Sequence, residues 1–219
     1  MAKKKVITPD KIIELYMNDV LMDKPTLNSV YAFAKNNNFE ENEFYKYFNS
    51  FETLEKHIFA VFCIKTVELL LQNEEYTTYD SKSKLLSFYY TFFELLTANR
   101  SYVNLKLKGN KNKLESLKLL SKLKIEFANF ISTEIHTNAI DFKNKTMNKI
   151  QDKGFIEVAW IQLLFTLQFW LEDESENFEK TDIFIEKSVK ASYDLRDAVP
   201  VQSVFDFAKF LWKEKGPTV

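Results

Sequence analysis

Apolar positions recur along this chain at intervals of three and four, the period that lines one face of an α-helix. Ile12, Ile13, Leu15, Tyr16, Val20 and Leu21 form the first such stripe. Thr8-Pro9-Asp10 stands before it with a capping hydroxyl, a proline suited to the first helical position and an early acid. Asp23-Lys24-Pro25 closes it, because proline disfavours helix in the residue before it. A short piece with Val30, Phe33 and Ala34 stops at Asn36-Asn37-Asn38, and a third carries Phe44, Tyr45 and Phe48. Ser50 can then cap a long fourth helix running through Leu54, Ile58, Val61, Phe62, Val67, Leu70 and Leu71. A break over Asn73 to Asp80 precedes Leu85 to Leu96, apolar on most of its circumference, and a short ambiguous piece from Arg100 to Leu107.

Further on, Leu114, Leu117, Leu120, Leu123, Phe127, Phe130 and Ile131 predict one amphipathic helix over residues 112–136. Asn138 to Lys153 is polar and reads as a long loop or frayed helix. The pattern ends with helices over residues 155–172, 180–196 and 200–214, the last opened by Pro200. The whole amounts to about nine or ten helices. Composition agrees: 3 Gly and 4 Pro in 219 residues are too few for the tight turns of an all-β or doubly wound fold. The expected fold is therefore all-α. Aromatic residues make up 16% of the chain and apolar residues 46%, enough to fill a sizeable core and exclude disorder.

Candidate chemistry is sparse. A single cysteine, Cys63, excludes an intramolecular disulfide, and with only His57 and His136 it offers too few soft ligands for a thiolate or imidazole metal site. No metal, other cofactor, nucleophile–base pair or phosphate-cradling loop is expected, and an enzyme is not the reading. Lys3, Lys4 and Lys5 lead into a polar segment without the apolar stretch of a secretory signal. Phe155 to Leu171 is nearly apolar, but its 17 residues include Glu157, Gln162 and Gln168, short and polar for a membrane span. A cytoplasmic protein without a transmembrane segment is expected.

The segment from Ser29-Val30 and Phe33-Ala34 through Phe39 to Phe44-Tyr45-Lys46-Tyr47-Phe48 and Ser50-Phe51-Glu52-Thr53-Leu54 resembles the DNA-binding head of the TetR family. Ala34 is small where two helices cross, Phe39 can plug the turn, and Phe44 and Phe48 can hold the second helix. The resemblance implies a TetR-like all-α fold: a three-helix helix-turn-helix head over 1–50, and a larger helical bundle over 51–219 that binds an effector and dimerises. It implies a transcriptional regulator. DNA contacts would come from Asn42, Tyr45, Lys46 and Tyr47, with Lys3, Lys4 and Lys5 as a possible arm or an ordinary solvated terminus. An apolar small molecule would sit in the body, with Phe88, Tyr89, Phe92, Phe93, Trp160 and Phe165 as candidate lining; the same residues also read as core. Homodimerisation would use the C-terminal helices.

Charge qualifies the DNA expectation. Glu40, Glu41 and Glu43 set carboxylates where phosphates and base edges would lie, and Phe51 stands where the family has a lysine. The turn glycine of the family is Asn38 here. Residues 1–50 carry 7 Lys and 7 acids, whereas residues 100–153 carry 12 Lys/Arg against 5 Asp/Glu; the basic face over 106–124 could meet an anionic membrane surface or an acidic partner, or be a solvated helix face. Near the end, Trp170-Leu171-Glu172-Asp173-Glu174-Ser175 and Thr181-Asp182-Ile183-Phe184 are similar to the TetR-fold lipid-binding accessory protein of ubiquinone biosynthesis. That likeness implies the alternative: a lipid- or quinone-precursor-binding accessory protein that has lost DNA binding.

Overall fold

Thr8 ends an extended stretch by accepting a hydrogen bond from Lys11 N at 3.2 Å, and the first helix, α1 (Pro9–Leu21), starts there. The computed structural model describes residues 7–109, 113–135 and 145–198. Ser29 caps α2 (Val30–Asn36) through Ala32 N at 3.1 Å. A turn leads to the very short α3 (Glu41–Tyr45). Within that turn Asn38 takes φ 59°, the left-handed conformation that asparagine tolerates better than other residues with a Cβ. Ser50 caps α4 (Phe51–Leu71) through Thr53 N at 3.2 Å, as its position suggested.

The N-terminal helices meet around one ring. Phe33 stands edge-on to Tyr16, Phe39, Phe44 and Phe51, with centroids 5.5–6.3 Å away. Beneath them the buried Asp19 of α1 takes Lys24 Nζ at 2.6 Å and Asn37 Nδ2 at 3.0 Å, tying the end of α2 to α1. Phe51 is consumed by this cluster, with Tyr16 at 5.1 Å and Phe44 at 5.7 Å.

Asp80 caps α5 (Ser81–Ala98), and α6 (Arg100–Leu107) follows after a single residue. The ambiguous piece is thus a helix. The stripe expected as one helix over 112–136 is instead α7 (Lys113–Leu119) and α8 (Ser121–Phe130), continued by a π-helical turn over Ile131–Ile135. The break falls at Leu120, whose N–H reaches back three residues to Leu117 O at 3.2 Å. Both α7 and α8 pack on α4. A continuous apolar stripe does not reveal such a bend, since the period survives it.

The polar run before residue 155 does not form a separate loop as far as it is described. Lys145–Glu172 is one helix of 28 residues, α9. Residues 136–144 and the helix expected over 200–214 lie outside the described residues. Within α9, Gly154–Glu172 is long and apolar enough to cross a membrane by length and composition, with mean hydropathy 1.4. In the fold its Leu163, Leu167 and Trp170 are buried, and α9 packs on α8 and on α10 (Glu179–Ala198). Among the described residues there are ten α-helices and no strand, so the fold is all-α.

The turn from α9 to α10 is held by Asp173. Its carboxylate accepts from Ser175 N and Oγ at 2.8 and 2.6 Å and from Thr181 N and Oγ1 at 2.9 and 2.6 Å. Asp173 is thus the cap, and Thr181 is one of its donors. Arg100 seals the other side, donating to Trp170 O at 3.1 Å and Asp173 O at 3.2 Å. Its guanidinium lies 4.5 Å from the Trp170 ring and 4.4 Å from that of Phe178. Burial pushes the Asp173 pKa up, but the hydrogen bonds from Ser175 and Thr181 outweigh it and hold the carboxyl at about 2.

A depressed carboxyl stabilises the fold above its unfolded pKa, and that share is lost as pH falls toward the folded value. Asp173→Ala is expected to cost about 2 kcal/mol at neutral pH. In urea titrations the gap between wild type and variant should narrow from about pH 4 down to about pH 2.

Candidate nucleic-acid interface and ligand groove

The face that would meet DNA is built from α3 and the turn after it. Phe44 and Phe48 are buried and anchor it, which leaves Asn42, Tyr45, Lys46 and Tyr47 exposed together at one end of the molecule. Tyr31 on α2 is exposed as well, with the Lys35 ammonium 5.8 Å from its ring. Lys3, Lys4 and Lys5 lie outside the described residues.

Local ion pairing changes what this face offers. Lys46 Nζ is 2.6 Å from Glu43 Oε1, and Tyr45 Oη donates to Glu41 Oε1 at 3.4 Å. The second oxygen of Glu43 is buried without a hydrogen-bond partner. The cation best placed for phosphate is therefore already engaged, and any phosphate must compete with a carboxylate for it. What stays free for base edges is the Asn42 amide, which suits adenine, together with the Tyr47 hydroxyl. Phe51 is taken up by the ring cluster of the N-terminal helices and carries no charge for the backbone.

The basic stretch after residue 100 is also less free than its count suggests. Lys106 pairs with Glu55 at 2.5 Å, Lys118 with Glu115 at 2.8 Å and Lys124 with Glu157 at 2.8 Å. His57 rests against Phe48 at 5.4 Å, and burial together with the nearby Lys122 pulls its pKa below the ordinary histidine value. Cys63 is buried, with its thiol pushed up to about 12 by that burial and by Glu126, which leaves it inert. No group of three or more His, Cys, Asp or Glu side chains could hold a metal among the described residues.

Between the N-terminal helices and the rest, one carboxylate joins three helices. Glu55 Oε1 on α4 accepts from Tyr16 Oη of α1 at 2.5 Å and from Lys106 Nζ of α6 at 2.5 Å. The Lys106 ammonium lies 5.6 Å from the Tyr16 ring and 5.9 Å from that of Tyr102. Burial, and then the neighbouring Glu55 charge, push the Tyr16 and Tyr102 pKa values up, so both stay neutral. The Tyr102 hydroxyl is buried with no partner beside this cluster. No sequence motif announces the triad, because its members are 39 and 51 residues apart.

The next two residues of the chain border a groove. Leu107 and Lys108 line a cavity of about 340 Å³ with Leu117 and Leu120 of the α7 region and Leu164, Leu167 and Leu171 of α9. Ser116, Gln168 and Glu172 complete its rim. Ser116 Oγ donates to Leu107 O at 3.2 Å, and the Gln168 amide donates to the Glu172 carboxylate. A second, more open concavity of about 470 Å³ lies on α9 and α10, against Phe169, Ile183 and Phe184.

The aromatic residues that the sequence offered as pocket lining border neither concavity. Phe88, Tyr89, Phe92 and Phe93 are buried on α5, and Phe88 stacks on Phe130 at 4.3 Å. Phe88 and Trp160 are linked through Phe127, at 5.3 and 6.4 Å. Phe165, by contrast, is 65% exposed on the outer side of α9, in line with the exposed Val158 and Ile161. The groove leucines escaped the sequence reading because a leucine at helical spacing looks the same whether it faces a core or a cavity.

Removing the central carboxylate should be costly. Glu55→Ala is expected to destabilise the chain by about 2 kcal/mol in urea unfolding, since it strands Lys106 and Tyr16. A double-mutant cycle of Glu55→Gln with Lys106→Met should give a coupling above about 1 kcal/mol.

No curated protein matches the chain at a significant level. The family model described as tetracyclin repressor-like, C-terminal domain, matches residues 84–211, more than half of the chain.

Proposed function

The chain belongs to the tetracyclin-repressor-like family, and on that premise we propose that it is a transcriptional regulator. A helix-turn-helix head over residues 1–50 reads DNA, and a body over residues 51–219 binds an apolar effector and dimerises. The observation that carries this reading is the position of α6. Its Lys106 holds Glu55 and Tyr16 at the head, while the adjacent Leu107 and Lys108 border the leucine groove. A molecule that fills the groove and favours another placement of α6 would thereby change how the head is held, and so its affinity for DNA. No catalytic step belongs to this function, and the protein works in the cytoplasm.

Dimerisation is proposed through α9 and α10. Val158, Ile161, Phe165 and Ile183 expose large apolar side chains there, more than a helix pair normally leaves to water. Asn42, Tyr45, Lys46 and Tyr47 are the DNA contacts in this reading, with Lys3, Lys4 and Lys5 as a flanking arm. A second reading is favoured by one observation, the engagement of Lys46 by Glu43 beside Glu40 and Glu41. It is a lipid- or quinone-precursor-binding accessory protein that no longer reads DNA.

Mobility-shift titrations with promoter DNA of its own gene separate the two. The regulator should bind at low ionic strength and weaken steeply as salt rises. Glu43→Gln should tighten binding by releasing Lys46, and Lys46→Ala should weaken it. No shift even at low salt, with a lipid retained through purification, would favour the accessory protein. In light-scattering measurements wild type should run as a dimer and Phe165→Glu as a folded monomer.

A further inference from the structure

The groove between α6, α7 and α9 has walls unlike the rest of the chain. Aromatic residues are 16% of the sequence, yet the six apolar residues bordering the groove are all leucine. Leucine walls present no ring faces on which a planar aromatic molecule could stack, and they follow the outline of a flexible aliphatic chain. Transfer of each methylene from water into such a site contributes about 0.8 kcal/mol.

The mouth carries an unequal pair of charges. The Lys108 ammonium reaches only the Leu171 carbonyl, at 3.5 Å, the outer limit of a hydrogen bond, and pairs with no carboxylate among the described residues. Glu172, on the same rim, keeps its negative charge but already accepts from the Gln168 amide. The cation at the mouth is thus the less engaged of the two, and a carboxylate placed on Lys108 would replace a weak contact by a charge-assisted one. An ammonium headgroup would meet like charge at Lys108 and find Glu172 already occupied, and a hydroxyl would gain little.

We infer that the groove binds a free straight-chain fatty acid, with its acyl chain along Leu120, Leu164 and Leu167 and its carboxylate on Lys108. This rests on the reading of the groove as the effector site, and it names the effector by chemical class. Calorimetric titration of the full chain with dodecanoate, dodecanol and dodecylammonium, each below its micelle concentration, tests it. Dodecanoate should bind about fivefold more tightly than dodecanol, and dodecylammonium more weakly than both. Lys108→Gln, an exposed and conservative change, should abolish the preference for carboxylate and leave dodecanol unchanged. Leu117→Trp, at the exposed edge of the groove, should weaken all three.

Dodecylammonium binding as tightly as dodecanoate, or a carboxylate preference that survives Lys108→Gln, would overturn the inference. The DNA shift measured alongside keeps the two readings apart. Dodecanoate binding with the expected preferences, but with no DNA shift to modulate, would overturn the regulator and leave the ligand class standing. Release of DNA by a planar aromatic compound, with no dodecanoate bound, would do the reverse.

Discussion

One carboxylate, Glu55, joins parts of the chain that lie far apart in sequence. It sits on α4 and takes hydrogen bonds from Tyr16 of α1 and Lys106 of α6, so three helices share one acceptor oxygen. The side chains of Lys106 and Glu55 are 20% and 16% exposed. Such a pair is dry enough for its partners to be costly to strand, yet wet enough to be broken without a full desolvation penalty. A contact of that kind suits a joint between the N-terminal helices and the helices that follow them. The partnerless Tyr102 hydroxyl beside it gives Glu55 a nearby alternative donor should Lys106 move.

The aromatic surplus serves the same end by filling each half separately. Around Phe33 the rings of Tyr16, Phe39, Phe44 and Phe51 replace the longer helices that a larger domain would use to bury a core. In the body, Phe88 is packed among Phe92, Phe127 and Phe130, and Trp170 among Phe93, Arg100 and Phe178. Closely packed rings, stacked or tilted around Phe88, leave few voids, and the cavity opens instead among leucines.

Much of the fold was legible in the chain. Thr8, Ser50 and Asp23-Lys24-Pro25 announce helix ends through local hydrogen bonding and proline sterics, and these operate over three or four residues. The head was legible for the same reason: Ala34, Phe39, Phe44 and Phe48 lie within fifteen residues of one another. Less legible were the bend at Leu120 and the early start of α9. Each depends on what lies opposite the helix, and periodicity carries no record of that. The candidate site was legible only in part. Asn42, Tyr45, Lys46 and Tyr47, which the resemblance suggests for DNA contact, are exposed, but the groove and the Glu55 joint join residues far apart in sequence.

By itself the sequence determined an all-α chain, its helix caps and the packing scheme of its N-terminal helices, because those follow from short-range periodicity and capping. Tertiary structure decided which charges are free. It engaged Lys46 with Glu43 and Lys106 with Glu55, and left Lys108, at the mouth of a groove, without a carboxylate among the described residues. Counting charges cannot make that distinction, since whether a lysine binds a partner or a ligand depends on which carboxylate the fold brings within about 4 Å of it.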